Sequence, residues 1–347
     1  MKKRIILAAG IAVLALGAVT AGYAASSSSH KAAATFKVGL NADIGGLNDR
    51  GFNQLANAGL VKAEKVLHVK GRVLTSSSSA DYVPNLTSLA QSGDNLIIAV
   101  GFLQEQAVQQ VAKQFPNVKF AGVDMNAVTD FTSPPITRNF EGIVFQENQV
   151  GYEVGYLAGL EAKRLHGKAV GSVGGIPVPA VIRYIAGFEA GARAADPGVK
   201  TLNSYSQSFT AQDTCKALAL NQIAQGSIAE FQVAGACGLG VLDAAKEKNV
   251  WGIGVDSDQS FINNKVLTSA QKKVDVGVYD AIYRLDKRHK FFAGGNTVLN
   301  AANGGVGLGK INKAVPKAEV TATLAIAKKI ADGKIKAPTQ CTPNPNC

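Results

Sequence analysis

The sequence predicts an α/β protein of two Rossmann-like parallel-sheet lobes joined by a hinge. Three observations lead there. Short β-rich runs alternate with amphipathic helical stretches along the chain, the pattern of a parallel sheet covered by helices. A length of 347 residues, about 320 of them beyond a leader, exceeds the comfortable size of one hydrophobic core. A Ser, Pro and Thr-rich break at 132–138 separates two such alternating series.

The amino terminus runs Met1-Lys2-Lys3-Arg4, then an uncharged Ala/Leu/Ile/Val/Gly stretch, then Ala21-Gly22-Tyr23-Ala24-Ala25. Basic, apolar, small is the order of a secretory signal peptide, so residues 1–24 are expected to be removed and the mature chain to be secreted, periplasmic or cell-surface. An uncleaved anchor is the alternative, because residues 5–25 carry no charge. The first cysteine is Cys215, far from the cleavage point, so lipid attachment is not expected. Residues 25–35, with serine at 26–29, read as a flexible tether.

The first lobe, 36–138, is expected to hold strand 36–41, helix 51–66, strand 72–74, helix 81–91, strand 96–100, helix 104–114 and strand 119–123. The second, 139–265, is expected to open with strand 142–145 and helix 148–165. It continues with strand 169–173, helix 181–194, strand 200–205, helix 214–225, strand 228–233, helix 241–246 and strand 250–255. Strand 266–272 and helix 274–285 read as chain returning to the first lobe within 266–300. A Gly-rich segment 294–309 and helix 317–331 follow, part of 300–338 going to the second lobe, and 339–347 is a Cys-flanked tail.

Four cysteines in an exported chain can be fully oxidised. Cys215 begins the helix after one parallel strand, and Cys237 follows the next strand. Right-handed crossovers make those loops neighbours at one sheet edge, so a Cys215–Cys237 bridge is expected. Cys341–Cys347 would close the tail. Two buried thiols remain the alternative at 215 and 237.

The formal charge of +11 falls by three without Lys2, Lys3 and Arg4, to +8. Lys62, Lys65, Lys328 and Lys329 are scattered over helix faces and form no stripe, so no nucleic-acid partner is expected. His30, His68, His166 and His289 stand in unrelated contexts without ligand spacing. There is no Gly-x-Ser-x-Gly elbow, His-Glu-x-x-His or Walker loop. The expectation is a monomer with no metal, no cofactor and no catalytic site.

In such lobes a ligand crevice lies at the carboxyl ends of the strands. The loop after the first strand carries Asp43, the diglycine Gly45-Gly46, Asp49, Phe52 and Asn53. Asp49 reads equally as a helix N-cap and Phe52 as core, whereas Asp43 and Asn53 read as crevice residues. Phe209 follows strand 200–205 among hydroxyls and reads as core or site. Two aromatics facing across a cleft can sandwich a planar ring. Asp256-Ser257-Asp258-Gln259 offers carboxylates to vicinal hydroxyls. Calcium is excluded there, because Phe261 and Leu267 stand where a calcium loop needs Gly and an acid. Residues 235–240 offer close backbone approach and a helix N-terminus.

Asp43-x-Gly-Gly with Asp49-Arg-Gly-Phe-Asn53, Gly101-Phe102, Phe120-Ala-Gly-Val-Asp124, Phe145-Gln-Glu-Asn-Gln149-Val-Gly-Tyr152, Gly174-Gly175, Ser208-Phe209, Gly254-Val-Asp256-Ser-Asp258-Gln259 and Leu267-Thr-Ser-Ala-Gln-Lys272 together resemble the basic membrane protein family of solute receptors. The resemblance spans about 36–338. It implies a type I periplasmic-binding fold that closes around a small-molecule ligand, a purine nucleoside or another ring-containing solute such as a flavin, and passes it to an ABC permease in the membrane. It further implies that Phe52 and Phe209 sandwich the base and that Asp43 and Asn53 read its edge. Asp124 would join the ligand site, Asp256 and Lys272 would hold the ribose hydroxyls, and the Gly238 backbone would lie close by. Gly51 stands where many members carry Ser, and Tyr23 where the lipoprotein cysteine would fall.

Overall fold

The computed structural model describes Met1, residues 35–130 and residues 138–341. The leader at 1–24, most of the tether and the Cys341–Cys347 pairing lie outside the described residues, as does the break at 132–138 except for Arg138. Among the described residues no helix is long and apolar enough to cross a membrane.

From Thr35 onward the chain forms one compact unit. It opens with β1 (Lys37–Ala42), α1 (Phe52–Leu67), β2 (Lys70–Thr75), α2 (Tyr82–Gln91), β3 (Leu96–Val100), α3 (Glu105–Gln114), β4 (Lys119–Val123), β5 (Phe140–Phe145) and α4 (Glu147–Leu165). Next come β6 (Ala169–Gly174), α5 (Pro179–Ala195), β7 (Lys200–Tyr205), α6 (Gln212–Ala224), β8 (Ser227–Val233), α7 (Gly238–Glu247), β9 (Trp251–Asp256) and β10 (Val266–Lys272). Last are α8 (Val274–Arg288), β11 (Asn296–Leu299), β12 (Val306–Leu308) and α9 (Lys317–Ala331).

Two six-stranded sheets repeat one strand order, β2-β1-β3-β4-β5-β11 and β7-β6-β8-β9-β10-β12. Every pairing is parallel except β10 with β12. A parallel sheet needs cover on both faces, which is why β3 reads as the unbroken apolar run Leu-Ile-Ile-Ala-Val and is buried throughout. The expected two-lobed α/β architecture is the one observed.

The assignment of strands to lobes differs from expectation at two places. β5 does not open the second lobe; it pairs in parallel with β4, Phe120 opposite Phe140. β10 does not return to the first lobe but pairs with β9. Strand membership is set by long-range register, and a buried run of β-formers fits either sheet. The chain instead crosses at Gln146, so that α4 packs on α5 and β10, and at Lys273, so that α8 packs on α1. It crosses a third time between β11 and β12, both hidden in the Gly-rich segment by their shortness.

These crossings are bonded to one another. Gln146 N donates to Leu299 O at 2.9 Å, Ala301 N to Gln149 Oε1 at 2.7 Å and Lys273 N to Gly305 O at 2.9 Å. Three connections side by side form the hinge.

Histidines 68, 166 and 289 have one structural explanation. Each is the left-handed C-cap of a helix, α1, α4 or α8, at φ 60°, 54° and 51°. A polar side chain at the carbonyl end complements the helix dipole there. Cys215 and Cys237 are joined in a buried disulfide with Cα atoms 5.7 Å apart.

Candidate functional site

The strand order of each sheet reverses beside its first strand, and parallel sheets leave a crevice at such a point. In the first lobe Gln104 holds the switch closed: its Nε2 donates to Asn41 O at 3.1 Å and Val100 O at 2.8 Å. Just beyond, Gly101 adopts φ +103°, and a Cβ there would lie 2.2 Å from Asp43 Oδ2. Only glycine leaves room for that carboxylate.

Between the two sheets lies a cavity. Asp43, Phe52, Asn53 and Asp124 line it from the first lobe, and Phe209, Asp256 and Lys272 from the second. Gly238 is the exception among the residues singled out from sequence. It is buried at the start of α7, where a Cβ would meet Gln232 Oε1 at 1.7 Å, and the backbone at the cavity is that of Gly235 and Ala236. The helix begins three residues earlier than its apolar pattern indicates, which turns Gly238 into the core.

On the first-lobe wall, Asp49 does cap α1: its carboxylate accepts from the N–H groups of Gly51 (3.0 Å), Asn53 (2.8 Å) and Gln54 (3.1 Å). It also lines the cavity. Asn53 clamps Asp43, accepting from Asp43 N at 2.9 Å and donating to Asp43 O at 3.3 Å. Asp43 Oδ1 accepts from the Tyr82 hydroxyl and from Ile44 N. Burial pushes the Asp43 carboxyl up to about 6 despite those two hydrogen bonds.

The centre of the cavity is charged. Lys272, 2 % exposed, places Nζ 2.7 Å from Asp124 Oδ2, 3.5 Å from Glu147 and 4.0 Å from Asp256. Glu147 is also held by Arg183 Nε at 2.6 Å. Burial by itself would lower the lysine pKa, but Asp124, Asp256 and Glu147 hold it above its ordinary value. Burial pushes Asp256 up to about 7, with Lys272 opposing, and raises Asp124 in the same way. The same ammonium sits 4.7 Å over the Phe52 ring, a cation–π contact that fixes the ring.

Asp124 and Asp256 are equivalent positions of the two lobes. Each ends a Gly-Val-Asp triplet, 122–124 closing β4 and 254–256 closing β9, and each is left-handed, at φ 63° and 61°. A non-glycine residue held there stores backbone strain, which concentrates at sites that aim a side chain. The repeated triplet is legible in the sequence, and its twofold meaning comes only from the matching strand orders of the two sheets.

On the opposite wall the Phe209 ring packs against Gly175, where a Cβ would come within 2.4 Å of it. Tyr184 donates to Asp256 Oδ1 at 3.3 Å. The lobes are closed on each other: Ser257 Oγ and Gln259 Nε2 both donate to Arg50 O, at 2.6 and 3.2 Å. Among the described residues no cluster of His, Cys, Asp and Glu fits a metal ion.

Comparison with known proteins agrees with this architecture. A family model described as ABC transporter substrate-binding protein PnrA-like matches residues 36–341. The chain is 34 % identical to the ABC transporter nucleoside-binding protein BmpA of Lactococcus lactis subsp. cremoris, covering 98 % of this chain and 100 % of that one. It is 33 % identical to a CD4+ T-cell-stimulating antigen of Listeria monocytogenes, over 97 % and 99 % of the two chains. A solute-binding protein of an ABC transporter system from Aeropyrum pernix K1 shares the fold, at a TM-score of 0.77 and 24 % identity over 87 % of this chain and 94 % of that one. With two closed lobes around a charged, aromatic-walled cavity and a match over nearly all of the described unit, the chain belongs to the Bmp family of PnrA-like ABC transporter substrate-binding proteins.

Proposed function

We propose that the protein is the extracytoplasmic receptor of an ABC importer and that its ligand is a purine nucleoside. One observation carries the reading: Phe52 and Phe209 reach a single cavity from opposite lobes, with acidic residues and a buried ammonium beside them. A planar base stacks between the rings, each stack contributing about 1–3 kcal/mol. Asp43 reads the base edge, and Asn53, its amide engaged with the Asp43 backbone, serves chiefly to hold that carboxylate in place.

The ribose lies against Asp124 and Asp256. Asp124 Oδ1 is buried with no hydrogen-bond partner, and a sugar hydroxyl supplies the missing donor. Lys272 fixes both carboxylates and offers a further N–H. Apo lobes swing open about the three-stranded hinge, ligand contacts on both walls shift the population to the closed form, and closure presents the surface that a permease reads. The family description and the nucleoside-binding relative both support the reading.

Calorimetric titration of refolded, ligand-stripped protein with adenosine, guanosine, inosine, cytidine and riboflavin tests it. Purine nucleosides are expected to bind more tightly than cytidine, with no free base released on incubation. Binding of riboflavin with none of the nucleosides would transfer the site to a flavin.

A further inference from the structure

The second lobe meets the cavity with two loops. One, after β7, runs through Ser206 to Ala211 and carries Phe209; the other, after β8, carries Gly235 and Ala236. Each is braced at its strand end: Ser206 N and Gln207 N donate to Gly174 O and Gly175 O, both at 2.9 Å, and Val233 O, at the end of β8, accepts from Gly175 N at 3.0 Å. Within the first loop Ser208 Oγ accepts from Thr210 N and Ala211 N, both at 3.1 Å. These contacts shape the loop without fixing it to its neighbour.

Two links tie it to its neighbour, the cysteine pair and one main-chain hydrogen bond beside it. Cys215 lies in the first turn of α6, directly after the Phe209 loop, and its N–H donates to Ala211 O at 3.2 Å. Cys237 is the last residue before α7, directly after Gly235 and Ala236, and its N–H donates to Phe209 O at 3.0 Å. Both cysteines are fully buried. The bridge therefore joins the far ends of the two loops at the point where a main-chain hydrogen bond from Cys237 meets the Phe209 carbonyl.

We infer that the Cys215–Cys237 disulfide is a positioning element of the ligand site, which keeps the Phe209 ring seated on Gly175 and facing the first lobe. The role of Phe209 rests on the nucleoside reading; the tethering of its loop does not. Without the bridge the chain still folds, but its second aromatic wall is no longer held ready and ordering it opposes binding.

The test compares wild type with Cys215→Ala/Cys237→Ala and with Cys215→Val/Cys237→Ala, which restores buried volume. Hydrogen exchange is expected to quicken in 206–211 and 234–237 while β6 and β9 stay protected. The dissociation constant for inosine is expected to rise at least fivefold. Phe209→Ala is expected to weaken binding less in the bridgeless background than in wild type, because the two changes act on one element. Unchanged exchange in both loops, with unchanged affinity and only a lower melting temperature, would overturn the proposal. If wild type binds no nucleoside, the ligand reading has failed and the exchange comparison alone decides whether the bridge positions the loops.

Discussion

Lys272, at the end of β10, meets Asp124, at the end of β4, at 2.7 Å, so a buried ion pair ties the second lobe to the first across the cavity. The ammonium also faces Asp256 and, together with Arg183, Glu147.

Replacing Lys272 with Met leaves buried carboxylates without their cation. Loss of one partner from a buried pair costs about 3–5 kcal/mol. Urea unfolding of Lys272→Met is expected to show a loss in that range, and stability equal to wild type would mean the carboxyls are already neutral in the fold.

The aromatic wall makes a separate prediction. Removing one stack from a bound base costs about 1–3 kcal/mol, so Phe209→Ala is expected to weaken purine nucleoside binding about tenfold or more with its unfolding midpoint close to wild type. Asp256→Ala is expected to do the same through the ribose. Unchanged calorimetric affinity in both variants would remove the nucleoside from this cavity.

Asp49 acts on stability more than on recognition. It satisfies three N–H groups at the start of α1, and loss of such a cap costs about 1 kcal/mol. Asp49→Ala is expected to melt a few degrees lower, measured by scanning calorimetry; an unchanged transition would show that solvent caps the helix equally well.

Burial also sets a pH dependence. Glu230 is fully buried in β8, and burial pushes its carboxyl up to about 8 against the opposing Ser227 hydroxyl. The folded chain holds that proton more tightly than the unfolded chain, in which the carboxyl titrates at its usual 4.5. The resulting stability is full below about 4.5 and is lost as pH rises through 8. Glu230→Gln cannot ionise and can donate to the unpartnered Gln222 Oε1 nearby, so its stability is expected to fall less than that of wild type between pH 5 and 8.5. Parallel urea midpoints across that range would contradict the assignment.

Local pattern was legible wherever local chemistry decides structure. β3, β4, β7, β10 and α9 fall at the residues their apolar periodicity indicates. Parallel sheets place a crevice at the carboxyl ends of their strands, so Asp43 and Asp256 could be expected there; Phe52 and Phe209 read equally as core until the resemblance put them in the site, and all four line the same cavity. What was not legible is pairing at a distance. Nothing within 140–145 tells that β5 lies against β4, and the short β11 and β12 acquire strand character only from their partners. The crossing points follow from those same pairings and are hidden for the same reason. Glu147 falls within the Phe145–Tyr152 motif without being singled out by it and Arg183 within none, and only the fold brings Glu147, with Arg183 paired to it, beside Lys272.

The account is tested most directly by a crystal structure of the ligand-stripped protein grown with inosine. The expected result is a base held between the Phe52 and Phe209 rings, its edge at Asp43 and its ribose hydroxyls within hydrogen-bond reach of Asp124 and Asp256. A nucleoside bound elsewhere, or the two rings packed into separate cores with no solute between them, would contradict it.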